Sequence, residues 1–188
     1  MEEQDDLQRM KEKAEAVQTM VADVESLDQA FLYAVEVTAR QGGSTIAAPG
    51  LDPSERAQLA KLCEASGITL LTGDLREHIG SIHTGFTQGD WGIAETATLV
   101  LDSTSENLRI ATMLSETHIA VLPTSRIKRD AMELERELCE MTRSAPCYLA
   151  FISGASRTAD IERVLTIGVH GPQELHLLFL RECEGEAP

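Results

Sequence analysis

A polar segment between residues 153 and 172 holds side chains that could bind a ligand or act on one. It combines hydroxyl groups, a guanidinium, a carboxylate and an imidazole with small residues that let a ligand approach the backbone. Apolar runs at residues 148–152 and 175–180 flank the segment, which predicts a loop between two buried strands. A plain turn does not need this mixture of groups, so the segment is a candidate binding site. The candidate residues are Gly154, Ser156, Arg157, Thr158, Asp160, His170 and Gly171.

Arg157 indicates which kind of ligand this loop would bind. A turn of small residues after a strand can aim several backbone N–H groups at an anion, and the guanidinium suits a carboxylate or a phosphate. In the alternative interpretation, Arg157 pairs with Asp160 or with a helix end, and the hydroxyls cap a short helix at residues 161–164. A serine hydrolase is not expected, because Thr158 stands where a nucleophile elbow has its second glycine.

His170 is the titratable group of the same loop. An imidazole whose unperturbed pKa is about 6.5 can serve as an acid, a base or a hydrogen-bond donor near neutral pH. The alternative is a histidine that only holds the loop in place by bonding a backbone carbonyl. His176, in the apolar run that follows, is expected to be a packed or edge residue.

Two segments together resemble the signatures of a known family. Residues 153–161 followed by 168–172 resemble the C-terminal signature of the LUD domain, the family of lactate utilization protein C. Residues 92–101 resemble its second signature, except that Ala97 stands where the family usually has glycine. Alanine resists the positive φ that glycine permits, so this exchange bears on how closely a ligand can approach the backbone there. The resemblance extends over roughly residues 40 to 182.

The resemblance implies both a fold and a role. The fold is three-layer α/β, related to the CoA-transferase and ribose-5-phosphate isomerase group. The role is L-lactate oxidation to pyruvate together with an iron-sulfur subunit and a second, cysteine-rich subunit. This chain would then bind a small anionic ligand, a carboxylate or a phosphate, at its two motifs, with Thr96 and Thr98 contributing from the second. It is expected to carry no cofactor, and iron-sulfur clusters are expected on the partner subunits.

The candidate catalytic residues are Glu95 and His170. A glutamate acts as the nucleophile in the related CoA-transferase group, which suggests Glu95, although a surface carboxylate or a cap is the simpler interpretation of this residue. Two other functions stay open: an independent CoA-transferase-like or nucleotide-dependent ligase-like enzyme acting on a small acid, and a ligand-binding module without catalysis.

The composition excludes some classes of function. The 188 residues include 31 acidic and 16 basic ones, for a net charge of -15, which opposes general binding to a nucleic-acid backbone. No apolar run approaches the roughly 20 residues that a membrane-spanning helix needs, and the acidic start does not resemble a signal peptide. A cytoplasmic protein is therefore predicted.

The metal-ligand residues are not arranged as a site. The four cysteines are far apart with no Cys-x-x-Cys pair, so neither a cluster nor a structural zinc site is expected in this chain. His78 and His83 match no familiar metal motif.

Alternating helical and strand patterns predict an α/β fold with a mainly parallel sheet, independently of the resemblance. An amphipathic helix is predicted over residues 7–24, and a second helix over 27–41 begins after the N-cap Ser26. We divide the chain into N-terminal helices that pack on the domain (1–42), the α/β domain (43–182) and an acidic tail (183–188). The sequence does not predict an oligomeric state.

Overall fold

The computed structural model is an α/β fold and describes residues 2–143, 147–158, 166–167 and 171–181. The helices are α1 (Glu2–Ala16), α2 (Leu27–Arg40), α3 (Pro53–Ala65), α4 (Glu106–Met113) and α5 (Glu135–Met141), with short 3-10 turns at Leu75–His78 and Thr124–Arg126. The strands are β1 (Met20–Val24), β2 (Thr45–Ala47), β3 (Thr69–Leu71), β4 (Thr84–Gln88), β5 (Trp91–Ile93), β6 (Thr98–Asp102), β7 (Thr117–Pro123), β8 (Ile127–Lys128), β9 (Leu149–Ile152), β10 (Arg157–Thr158), β11 (Thr166–Ile167) and β12 (Glu174–Leu180).

Six parallel strands form the main sheet, in the order β1-β12-β7-β4-β2-β3. Its central strands are buried on both faces, so they need nearly continuous apolar runs, and residues 118–122 and 175–180 supply them. The predicted α/β fold with a mainly parallel sheet is confirmed.

Helices α2 and α3 cover one face of this sheet. Ser26 accepts a hydrogen bond from Gln29 N at the start of α2, and Asp52 forms a reciprocal capping box with Glu55 at the start of α3. The two caps fix where these helices begin. Their apolar residues then pack on the sheet in a core cluster that includes Ala30, Phe31, Ala34, Leu59, Phe86 and Val121.

A second sheet covers the other face, in the order β8-β5-β6-β9. Helix α1 lies with it, and their shared core joins Met10 of α1 and Leu99 of β6 to Leu122 and Phe179 of the main sheet. The molecule therefore has three layers: two helices, the parallel sheet, and a mixed layer made of the second sheet with α1 and α4. This second sheet was not expected from the sequence.

The structure corrects the predicted helix over residues 7–24. Helix α1 ends at Ala16, and Met20–Val24 is strand β1, which pairs in parallel with β12 at the edge of the main sheet. Gln18 takes a φ of 62° between the two elements, which reverses the chain without a glycine to mark the turn. Apolar residues recur at steps of three and four residues on both sides of this turn, so the sequence pattern predicted one continuous helix.

The strand before the polar loop also differs from its prediction. Strand β9 was expected to be buried, but it belongs to the second sheet, where it pairs antiparallel with β6. Its Phe151 is 53% exposed. Asp130 Oδ1 accepts from Met132 N and Glu133 N in a turn, and α5 begins after this turn at Glu135.

Candidate functional site

The two sequence motifs meet in space because β6 and β9 are hydrogen-bonded neighbours. Leu99 of β6 stands opposite Ile152 of β9, which places the start of one motif's strand beside the end of the other's. Thr98 Oγ1 lies 2.6 Å from Ser153 Oγ and 2.6 Å from Thr96 Oγ1. Three hydroxyls from motifs more than 50 residues apart thus form one chain, in which each can donate or accept a hydrogen bond.

Glu95 lies in the tight turn between β5 and β6. Its side chain is 56% exposed, and its Oε1 lies 3.9 Å from Arg9 Nη2 on α1. Ala97 closes the turn with a φ of 49°, so the alanine adopts the left-handed conformation that glycine would take more easily. The structure therefore places Glu95 at the surface beside α1, and Thr96 next to it is also exposed.

The loop that begins at Ser153 rests on the turn between α1 and β1. Arg157 Nη2 donates to Gln18 Oε1 at 2.8 Å, and Nη1 donates to the carbonyl of Ser156 at 3.0 Å. Gly154 has a φ of 82°, and a Cβ placed on it would lie 3.1 Å from Val17 Cγ2. Within the described residues, these two hydrogen bonds of the half-buried guanidinium thus go to neutral groups, whereas Asp160, its predicted partner, lies outside those residues.

The chain returns to this loop at Gly171. Ser156 N donates to the carbonyl of Pro172 at 2.8 Å, and Gly171, with a φ of 95°, packs against the Ser156 side chain. Thr158 lies in β10, paired with β11. Asp160 and His170 lie outside the described residues, as does the side chain of Thr158.

A cavity of about 430 Å³ opens beside these loops. It lies at the amino ends of β7 and β12, between the end of α4, strand β9 and the two loop segments. Its described lining carries no acidic, lysine or arginine side chain. The lining residues are Thr112, Met113, Leu114, His118, Ala150, Phe151, Ile152, Gly154, Ala155, Ser156, Gly171, Pro172 and Leu175.

His118 is the titratable residue in this lining, and the sequence analysis did not single it out. Its side chain is 1% exposed, and Nε2 lies 2.9 Å from Thr87 Oγ1. Burial, with a smaller contribution from the nearby His176, lowers the pKa of His118 to about 4, so the imidazole is neutral at pH 7. Nδ1 is buried and has no hydrogen-bond partner among the described residues. A histidine in an apolar strand was the available signal, but its partner lies 31 residues away.

The structure separates the predicted site residues into two groups. Gly154, Ser156 and Gly171 line the cavity. Thr96, Thr98 and Arg157 do not line it, and Glu95 stands on the outer surface beside α1.

His176 lies outside both of these groups. His176 is buried on the opposite face of the sheet, where its Nδ1 lies 2.8 Å from the Tyr33 hydroxyl. Within the described ranges, no three His, Cys, Asp or Glu side chains come together in an arrangement that could hold a metal ion. Among the residues that the structure describes, no helix is long and apolar enough to cross a membrane.

The chain is similar to known proteins both in sequence and in fold. Residues 7–180 match the sequence profile of the LUD domain. The chain is 38% identical over 91 residues to lactate utilization protein C of Halalkalibacterium halodurans, which covers 47% of this chain and 40% of that protein. It is 36% identical over 107 residues to an uncharacterized protein of Neisseria meningitidis, which covers 55% of this chain and 45% of that one.

A solved structure is similar over nearly the whole chain. A DUF162 family protein from Deinococcus radiodurans superposes with a TM-score of 0.58 at 16% identity, covering 96% of this chain and 99% of that one. The likeness supports the fold. The aligned segments span less than half the length of the two sequence relatives.

Proposed function

This chain belongs to the LUD domain family, and we propose that it is a cytoplasmic component of lactate utilization that takes part in oxidising L-lactate to pyruvate. The observation that carries the proposal is the family match over residues 7–180, supported by relatives named lactate utilization protein C. The meeting of the two motifs through Thr98 and Ser153 supports a shared site built from both.

The proposed anion site lies where the hydroxyl chain of Thr96, Thr98 and Ser153 approaches the loop that carries Arg157. L-lactate presents a carboxylate and a hydroxyl, which match a guanidinium and a group of side-chain hydroxyls. The backbone of Gly154 and the Ser156 side chain would complete the site. Thr158, Asp160 and Gly171 remain proposed contacts, and His170 remains the proposed acid or base.

The electrons released from lactate would pass to partner subunits. Oxidation of the alcohol to a ketone needs an electron acceptor, and iron-sulfur clusters on separate subunits would supply one. Of this chain's described cysteines, Cys63 is buried, and burial raises its thiol pKa to about 11, which keeps it protonated.

The exposed position of Glu95 gives little support to a CoA-transferase reaction. The Glu95 side chain is 56% exposed and lies 3.9 Å from Arg9, so water would reach an acyl intermediate formed on it. Incubating the purified protein with acyl-CoA and measuring its intact mass tests this, since a covalent adduct on Glu95 would favour the transferase.

Arg157→Ala tests the anion site. We expect the substitution to weaken binding of L-lactate or phosphate by about 1.5–3 kcal/mol, because a charged hydrogen bond is lost. Titration calorimetry on the purified protein measures the change. Gln18→Ala is the matched control, because it removes the contact that orients the guanidinium while keeping its charge. Equal affinity in wild type and Arg157→Ala, with both folded, would assign Arg157 to packing alone.

The role itself is tested in cells. A strain that lacks this protein should lose L-lactate-dependent oxygen uptake and regain it with the wild-type gene, but only in part with the Arg157→Ala gene. Normal lactate oxidation in the deletion strain would refute the role.

A further inference from the structure

We propose that the cavity at the amino ends of β7 and β12 binds an uncharged, mainly apolar molecule whose hydroxyl or carbonyl group pairs with His118. This ligand site borders the proposed anion site: Gly154, Ser156 and Gly171 line the cavity, whereas Thr96, Thr98 and Arg157 do not. Three features support it: the uncharged lining, the buried His118 and the exposed apolar rim.

The lining opposes a charged ligand. Its described side chains are mostly aliphatic, from Met113 and Leu114 of the α4 end to Ile152 of β9 and Leu175 of β12, and none carries a fixed charge. Moving an ion from water into such surroundings is costly unless an opposite charge receives it. The neutral imidazole does not provide that charge at pH 7. L-lactate and phosphate are therefore poor candidates, whereas an apolar body is well matched.

His118 supplies the polar contact. The histidine is 1% exposed, and Thr87 occupies only Nε2. Buried polar atoms in proteins are nearly always hydrogen-bonded, so an unpartnered Nδ1 on a residue that lines a cavity is unusual. A neutral imidazole can donate from one nitrogen and accept at the other, so Nδ1 can pair with a carbonyl in one tautomer or with a hydroxyl in the other. One polar group on the ligand satisfies it.

The rim of the cavity is apolar and exposed. Met113, Leu114 and Phe151 line the cavity, yet they are 58%, 41% and 53% exposed. Three large apolar side chains around one opening form a patch of the kind that marks binding sites. The volume of about 430 Å³ lies within the range of small-molecule pockets. A ligand with an apolar body would cover the rim and fill the space behind it.

The direct test uses a neutral fluorescent ketone, 6-propionyl-2-(dimethylamino)naphthalene, whose emission shifts to the blue in apolar surroundings. We expect saturable binding to the full chain with one site per protein. His118→Leu should weaken it by about tenfold, the loss expected for one hydrogen bond. His176→Leu is the matched control, because that buried histidine faces α2 through Tyr33, on the opposite face of the sheet. Binding that is equal in His118→Leu and wild type would overturn the role of His118.

A second pair of variants keeps the test valid if His118→Leu does not fold. Phe151→Ser changes an exposed rim residue and should weaken probe binding several-fold, whereas Met132→Ser, at a residue that is 77% exposed and away from the cavity, should leave it unchanged. Equal effects of the two variants would show that the probe binds the surface without selectivity, and would overturn the site.

Competition identifies the charge of the ligand. At pH 7.5, 1-hexanol should displace the probe at concentrations about tenfold lower than hexanoate or hexylammonium, because the two ions must lose their hydration in a neutral cavity. L-lactate should not displace it. Displacement by hexanoate at the same concentration as hexanol, or absence of saturable binding, would refute a site for neutral ligands. Neither result depends on whether the chain serves in lactate oxidation.

Discussion

His118 and His176 are two buried imidazoles on opposite faces of the main sheet. Each is 1% exposed, and burial is the main cause that lowers the pKa of each. His176 has Tyr33 and Glu174 as partners, and the Glu174 carboxylate partly opposes the effect of burial by favouring the protonated form. His118 has the Thr87 hydroxyl and no neighbouring carboxylate among the causes that set its pKa, so its shift is the clearer of the two.

The low pKa of His118 predicts acid-sensitive stability. An unfolded histidine takes up a proton near pH 6.5, whereas folded His118 resists protonation down to about pH 4. The unfolded state therefore binds more protons between these values, and stability falls as the pH drops through this window. When the pH is lowered from about 7.5 to about 5, protonation of His118 in the unfolded state alone should lower the free energy of unfolding by about 2 kcal/mol. Urea unfolding at the two pH values measures the change.

His118→Leu isolates this contribution. The carboxylates and His176 titrate in both proteins, so the difference in pH dependence between wild type and variant belongs to position 118. The variant should lose less stability than wild type on acidification. An identical pH dependence of the two proteins would show that His118 keeps an ordinary pKa in the folded state.

Residues of the hydroxyl chain were predictable because their motifs are contiguous in sequence. Thr96 and Thr98 stand at the start of one apolar run, and Ser153 directly follows another. Their placement near strand ends therefore follows from the local sequence pattern. The contact of Arg157 with Gln18 was not predictable, since it joins residues 139 positions apart and Gln18 lies in a turn that has no glycine or proline to mark it.

Among the elements, α4 owes its close packing on β4 to a single glycine. A Cβ on Gly85 would collide with the backbone carbonyl of Ala111 in α4, and it would also lie 3.0 Å from Ser115 Oγ. A backbone atom cannot swing aside as the end of a side chain can, so the helix sits against the strand only because position 85 has no side chain. The same helix carries Thr112 and Met113 into the cavity lining.

Gly85→Ala should therefore destabilise the protein by about 3 kcal/mol, near the upper end of the usual cost of overpacking. It should also weaken binding of the neutral probe, because α4 must shift away from β4. Gly67→Ala is the control: its Cβ would meet open space, and only its φ of 69° opposes the change, at a cost of about 1 kcal/mol. Urea denaturation of both variants provides the comparison, and equal losses of stability would mean that α4 is not held tightly against β4.

Helix α2 could be predicted closely because its signal is local, and the signal for the start of α3 is local too. Ser26 and the Asp52 capping box lie within three residues of the groups that they bond. Strands β1 and β5 could not, because each is short and becomes a strand only by pairing with a distant partner: β1 with β12, and β5 with β6 and β8.

At the scale of the molecule, the second sheet decides where the cavity lies. The family resemblance implies a ligand site at the two motifs, but the sequence does not reveal that β9 leaves the main sheet. Because β9 packs over the amino ends of β7 and β12, the cavity forms at those ends. Ligands of open parallel sheets more commonly lie at the carboxyl ends, so a prediction from fold class alone would have chosen the opposite edge.

Helix α1 holds the two sheets together through Met10. This side chain is fully buried in the cluster that joins Leu99 of the second sheet to Leu122 and Phe179 of the main sheet. It also fills the space over β5, since a Cβ on Gly92 would lie 2.9 Å from Met10 Cε. The N-terminal helix is thus part of the core, in agreement with a family match that begins at residue 7.

Met10→Ala should lower the free energy of unfolding by about 3 kcal/mol, because it leaves a cavity between two sheets that cannot both collapse into it. Met132→Ala, at a residue that is 77% exposed, makes the same chemical change and should cost well under 1 kcal/mol. Thermal and urea unfolding of the two variants measure the difference. If α1 instead packed as a separable appendage, Met10→Ala would leave the main unfolding transition unchanged, and removal of residues 1–16 would do the same.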